Sequence, residues 1–259
     1  MNMQYVNGTE VLMALDFSSF QKTRLLFEAR FPESFIISDV LGTICDQLSA
    51  RFKSLKSLQN IQNILQNESL YSADNRFAIS ISSTKLSITD FKPAASWDES
   101  FEAVREIFLV VSEFSRLRVF NRIGTRFQYS VSCKDRKTLR SRVGEFAGIA
   151  LPKKSIFRIE PISSVASYKF EADDGDLGYI VQLYPEEEKL EYSLPIGATV
   201  DIPAKETFAL MFDVDFFTVR PVSLESFDIM TWLRGWQRTL NQDADTFLKM
   251  GQSLHGRRD

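Results

Sequence analysis

At 259 residues, 44% apolar, 25% charged and 12% aromatic, the chain has the composition of a globular protein long enough for one large core or two smaller ones. Disordered and collagen-like classes are excluded by the same figures. Its net charge is only −3, so any basic or acidic surface must arise from segregation within the chain. Apolar runs such as 107–111 fall far short of the roughly 20 residues a membrane-spanning helix needs, and the N-terminus lacks a basic segment followed by an apolar one. A cytoplasmic location without membrane contact is therefore expected.

The first extended segments are residues 11–17 and 24–31, stopped by Pro32, and they read as a hairpin or an edge pair. From Ser38 onward Val40, Leu41, Ile44, Leu48, Phe52, Leu55, Leu58, Ile61 and Leu65 recur mostly at three and four, which predicts a long helix with a break near Ser54. The following NESLYSADN is rich in turn formers and predicts a loop. Phe77, Ile79 and Ile81 alternate, SSTK turns the chain, and Leu86 and Ile88 return it as a hairpin with one buried face. Ser96 and Glu99 have the spacing of a capping box, and the helix after them turns Phe101, Val104, Phe108 and Val111 inward.

Residues 116–132 alternate as a strand, and 134–147 read as a helix closed near Gly148 and Pro152. Extended stretches at 156–170, 177–184 and 189–194, separated by DDGD and PEEEK, predict an antiparallel meander. A last strand is predicted at 207–219. After Pro221 one long helix, carrying Leu224, Phe227, Met230, Leu233, Trp236, Leu240, Phe247 and Met250, ends at Gly251. Strands joined by tight turns and interrupted by long helices predict an α+β fold with an antiparallel sheet. The expected unit is 1–259, with halves at 1–115 and 116–250 as the alternative, and 251–259 as a flexible tail.

Charge is the strongest signal. Between residues 116 and 142 nine basic residues face Asp135 alone. An unbroken two-residue period would put Arg116, Arg118, Phe120, Arg122 and Arg126 on one strand face, with Leu117, Val119, Ile123 and Phe127 on the other. The next helix adds Lys134, Arg136, Lys137, Arg140 and Arg142. Such a surface can hold phosphates while the phenyl ring stacks on a base. The competing reading pairs the strand arginines with Asp213 and Asp215, two apart on the last strand, as a structural ion network.

Residues 171–191 carry eight acids against Lys189, the default being solvated turns. A sharper reading takes Asp176, Glu187 and Lys189 as a sparse nuclease-like metal site. The single histidine, His255, lies in GQSLHGRRD and excludes His-based triads and multi-histidine metal centres from the folded body. No phosphate-binding glycine motif is present, so neither a cofactor nor a catalytic group is expected. Cys45 reads as a packed core thiol and Cys133, beside Lys134, as an incidental thiol in a setting that could lower its pKa. Trp232 and Trp236, four apart, suit burial against the sheet or an aromatic partner face.

The RIGTRF run at 122–127 and the LMFDVDFF run at 210–217, followed by a long terminal helix, resemble an uncharacterised, sporadically distributed bacterial family of about this length. That family shows an arginine-isoleucine-glycine-x-arginine-aromatic strand and a late D-x-D-x-F-like strand; it continues with asparagine where this chain has Gln128 and Tyr129. The resemblance implies no activity or cofactor, and a mobile-element, defence or toxin-immunity context. The function expected is non-enzymatic binding of an unknown protein partner. Nucleic-acid binding through 116–142 and a metal-dependent nuclease are the alternatives.

Overall fold

A computed structural model describes residues 5–6, 9–10, 15–52, 55–58, 68–72, 74–147, 166–171, 175–189 and 206–253. In chain order the strands are β1 (Tyr5–Val6), β2 (Thr9–Glu10), β3 (Gln21–Arg30), β4 (Leu55–Leu58), β5 (Glu68–Ser72), β6 (Phe77–Ile81), β7 (Lys85–Asp90), β8 (Val119–Phe120), β9 (Arg122–Cys133), β10 (Ala166–Glu171), β11 (Leu177–Lys189), β12 (Glu206–Thr218) and β13 (Val222–Ser223). The helices are α1 (Phe35–Arg51), α2 (Asp98–Ser115), α3 (Arg136–Ala147) and α4 (Ile229–Ser253). The fold is α+β, and every strand pairing is antiparallel. One nine-stranded sheet runs β10-β11-β12-β9-β3-β7-β6-β5-β4, with β1-β2 and β13-β8 as small separate pairs.

The order of elements repeats. A strand (β3) leads to a helix (α1), a meander ending in β7 and a second helix (α2); then β9, α3, a meander ending in β12, and α4 follow the same course. In each run the last meander strand lies beside the first strand, and the two runs meet where β3 pairs β9. The sheet is continuous across that seam, and one hydrophobic cluster extends from Ile44 and Ile79 to Leu183 and Leu248.

Local pattern decides several elements as expected. The β6–β7 hairpin forms, with Ile79 opposite Ile88. Phe101, Val104, Phe108 and Val111 are buried along α2, and β12 runs nearly to the expected limits. Trp236 stacks on Phe216 at 4.3 Å, while the Trp232 indole N–H donates to Thr125 Oγ1 at 2.9 Å, so both tryptophans serve the sheet.

Tertiary pairing overrides local pattern elsewhere. Residues 24–31, expected in a hairpin or an edge pair, form the central β3, whose Leu25, Phe27 and Ala29 are wholly buried while both its edges are hydrogen-bonded. Residues 17–19 form a 3-10 turn capped by Asp16, and 11–14 lie outside the described residues. The first long helix stops at Arg51, the Phe52 N–H closing onto Leu48 O at 2.7 Å, and Leu55–Leu58 pairs with β5 instead of continuing helical. ESLYS, expected as loop, is that strand β5, held between β4 and β6.

The capping box is absent. Ser96 Oγ accepts from the Asp98 N–H at 3.2 Å, whereas Glu99 turns away to Arg76 at 2.8 Å. Strand 116–132 is also interrupted: Arg116 ends α2 with φ 55°, and a bend at Asn121 separates β8 from β9. PEEEK is no turn, since β11 stays in register with β12 through Lys189. The last helix starts at Ile229, after a 3-10 turn at Leu224–Ser226, and continues past Gly251 to Ser253. The extended readings at 156–165 and 190–194, the helix stop at 148–152 and the tail at 254–259 lie outside the described residues.

Candidate functional site

Period-two alternation gives the sheet two unlike faces. On β9 Ile123, Thr125, Phe127 and Tyr129 are buried toward the helices, and Arg122, Gly124, Arg126 and Gln128 take the other face. On β12 Phe212, Val214 and Phe216 match the first set, and Asp213 and Asp215 the second. Helix contacts confirm the first face: Phe27 meets Phe108 of α2 at 5.6 Å, and Phe212 meets Phe247 of α4 at 6.0 Å. No described helix covers the middle of the second.

There the side chains form a lattice across five strands. Arg126 Nε donates to Asp213 Oδ1 at 2.7 Å and Oδ2 at 2.9 Å, and its Nη2 also reaches Oδ2. Asp213, only 1% exposed, also accepts at Oδ2 from Gln128 Nε2 at 2.7 Å and from the Tyr184 hydroxyl at 3.3 Å. Arg122 spans Asp215 at 3.0 Å and Glu28 at 3.6 Å, and lies over the Phe217 ring at 4.6 Å. Glu28 in turn meets Arg30 at 2.7 Å and Lys85 at 3.9 Å.

Gly124 lies beside this pair. A Cβ there would sit 3.6 Å from Asp215 Oδ1 and 3.8 Å from Arg122 Nη2, in ordinary van der Waals contact with the pair. The missing side chain leaves a depression of about 150 Å³, framed by Leu26, Glu28, Arg30, Arg122, Arg126 and Asp215.

Burial sets the titration of this face. It pushes the Tyr184 phenol up to about 12, with Asp213 adding in the same direction. It also raises the Asp215 carboxyl, beyond what Arg122 and Arg126 pull back, whereas the hydrogen bonds to Asp213 raise Arg126. An acid raised on folding binds more protons folded than unfolded between its two pKa values, so its contribution to stability falls as pH rises through that interval. Asp215→Asn is accordingly expected to gain on the native protein as pH climbs from the acid end of the carboxylate range, measured by urea unfolding at several pH values. Carboxyl NMR should find Asp215 titrating above 3.8, and higher still in Arg122→Gln. Titration below 3.8 would contradict this account.

The structure divides the basic residues predicted from 116–142. Arg122 and Arg126 join the lattice. Arg116 and Arg118 are exposed but precede β9, and Phe120, only 1% exposed, packs on Phe108 at 5.1 Å, where no base can stack. The continuous face of four guanidinium groups and a ring is therefore not formed, because the αL cap at Arg116 and the bend at Asn121 break the period.

Lys134, Arg136, Lys137, Arg140 and Arg142 belong to α3 and its entry, where Asp135 Oδ1 accepts from the Thr138 N–H at 2.7 Å. This helix packs on α4 and the helix face of β11 and β12, with Arg136 over Phe208 at 5.9 Å. Strand and helix cations thus lie on opposite sides of the sheet. Lys134 and Lys137 are exposed, and the buried Nε atoms of Arg140 and Arg142 have no hydrogen-bond partner among the described residues.

The nuclease-like set does not assemble. Asp176 pairs with Arg220 at 2.9 Å, and eleven positions along the same extended run separate it from Glu187, roughly 35 Å at strand rise. No group of three or more His, Cys, Asp or Glu suited to a metal occurs among the described residues. Cys45 is buried, and the two cysteines are not joined in a disulfide; burial pushes the Cys133 thiol up, against the lowered value its basic neighbours suggested. Among the described residues no helix is long and apolar enough to cross a membrane. Glu28, Arg30, Lys85, Gln128, Tyr184 and Phe217 were missed by sequence reading; the alternation of Arg24, Leu26, Glu28 and Arg30 against Leu25, Phe27 and Ala29 is the signal that marks part of them. The chain matches no protein-family model and no curated protein.

Proposed function

We propose that the chain is a non-enzymatic binding protein that engages a protein partner through the sheet face that no described helix covers. The observation that supports this is the mixed-sign lattice: Arg30, Lys85, Arg122 and Arg126 are interleaved with Glu28, Asp213 and Asp215 over adjoining strands. A nucleic acid presents uniformly negative phosphates and favours uniformly basic surfaces, whereas a protein surface offers both signs and can match an alternating pattern. Arg122 and Arg126 are already held by their partners, so less side-chain freedom is lost on docking. We take the protein to act in the cytoplasm, in keeping with the absence of a disulfide between Cys45 and Cys133, and in the mobile-element, defence or toxin-immunity setting implied by the resemblance.

The rim cations test this without disturbing the core. Arg30 and Lys85 are 53% and 44% exposed, so the double variant Arg30→Glu, Lys85→Glu should unfold within about 1 kcal/mol of the native protein. Its partner, captured by affinity purification and identified by mass spectrometry with the native chain, should be lost. Retention of the same partner would count against the lattice as the binding surface.

The exposed Lys134 and Lys137 of α3 and its entry favour a second reading, nucleic-acid binding on the opposite side of the sheet. It requires affinity that falls steeply with salt, with a slope reduced by about 2 to 3 in a Lys137→Gln, Arg140→Gln, Arg142→Gln variant. Binding that ignores salt, or none, removes it.

A further inference from the structure

Strands β10, β11 and β12 and the middle of α4 enclose a second cavity, of about 70 Å³, on the helix face of the sheet. Its walls are aromatic. Phe170 and Tyr179 are cross-strand partners stacked at 4.6 Å with 15° between their planes. Tyr179 carries the wall to Phe216 at 5.7 Å, and Phe247 bounds it from α4, 6.0 Å from Phe212. Phe170 remains 37% exposed, which leaves the cavity open to solvent at β10.

The charged group lining this space is Asp243; no lysine or arginine does so. Asp243 is solvent-exposed and near enough for its charge to add to burial in pushing the Tyr179 phenol up, and it makes no ion pair with a described residue. Aromatic faces carry negative potential and attract cations whose hydration is weak, so rings beside a carboxylate favour a cation clothed in methyl groups. A neutral apolar guest would fill the rings but leave the carboxylate without a counter-charge.

We infer that this cavity binds a small organic cation of the methylated-ammonium class, with Phe170, Tyr179 and Phe216 against its methyl groups and Asp243 against its charge. The site is separate from the lattice around Gly124, and the two stand or fall independently. Full-length protein is titrated with choline, with tetramethylammonium, and with the carbon isostere of choline, in which carbon replaces the quaternary nitrogen. The Trp236 indole N–H, whose ring stacks on Phe216, reports occupancy by NMR.

Both cations should shift that signal, and the isostere should bind about tenfold more weakly. Asp243→Asn and Phe170→Ala, both at exposed positions, should each weaken choline about fivefold with the spectrum of the fold intact. Equal binding of choline and isostere would make the cavity an apolar side-chain pocket and overturn the proposal. So would unchanged affinity in Asp243→Asn, or no shift with either cation.

Discussion

Phe127→Ala is expected to lower the unfolding free energy by about 4 kcal/mol, the largest loss from any single truncation considered. Phe127 is wholly buried on β9 and sits where the two runs of elements meet. Its ring lies edge-on to Trp97 at 5.4 Å and Phe101 at 6.3 Å, both from α2 and its entry, and 6.1 Å from Phe216 on β12. Truncation removes ring burial from both runs at once, and the large rings around the cavity cannot all move in to fill it. Urea unfolding followed by circular dichroism measures the loss. Phe35→Ala, at a site 76% exposed, is the control and should stay within about 0.5 kcal/mol. A loss below about 1 kcal/mol at Phe127 would mean that the seam is not packed through this ring.

Asp213→Ala should cost about 3 kcal/mol, by a different route. The substitution removes a buried acceptor shared by Arg126, Gln128 and Tyr184, and leaves a guanidinium and an amide without their partner. Arg126 keeps 35% of its side chain exposed and can turn partly to water, which holds the cost near the low end of the range for broken buried pairs. The paired variant Arg126→Met, Asp213→Leu should therefore be less damaging than the sum of the single changes. Additive losses would show that the two residues do not interact in solution.

These sites differ in how far a reader of the sequence alone could have found them. The RIGTR and DVD runs are legible as partners because arginines and aspartates both recur on alternate positions of strands whose other positions are apolar. Their reach was not legible. Arg122 extends over Gly124 to Asp215 while Asp213 takes Arg126, a diagonal pattern that follows from the register, in which Asp215 lies opposite Arg126 and Asp213 opposite Gln128. Glu28, Lys85 and Tyr184 each look like an ordinary polar residue on a strand; only the order β7-β3-β9-β12-β11 brings them together.

The same distinction holds for the fold. Short-range signals are reliable where neighbours in sequence are neighbours in space, as in the β6–β7 hairpin. They fail at Leu55–Leu58 and Glu68–Ser72, whose strand character comes from hydrogen bonding to each other and to β6 rather than from their own composition. The central place of β3 depends on pairing with β9, about a hundred residues away, and an isolated amphipathic strand carries no mark of having two neighbours.

The central claim is that the sheet face carrying the Arg122–Asp215 lattice is the binding surface. A photo-crosslinking amino acid introduced singly at Arg30, Lys85 and Gln182 on or beside that face, and at Glu106 and Arg238 on α2 and α4, tests it in living cells. The account predicts one protein adduct from the sheet positions, insensitive to nuclease and absent from the helix positions. Adducts from the helices alone, or nuclease-sensitive adducts near α3, would contradict it.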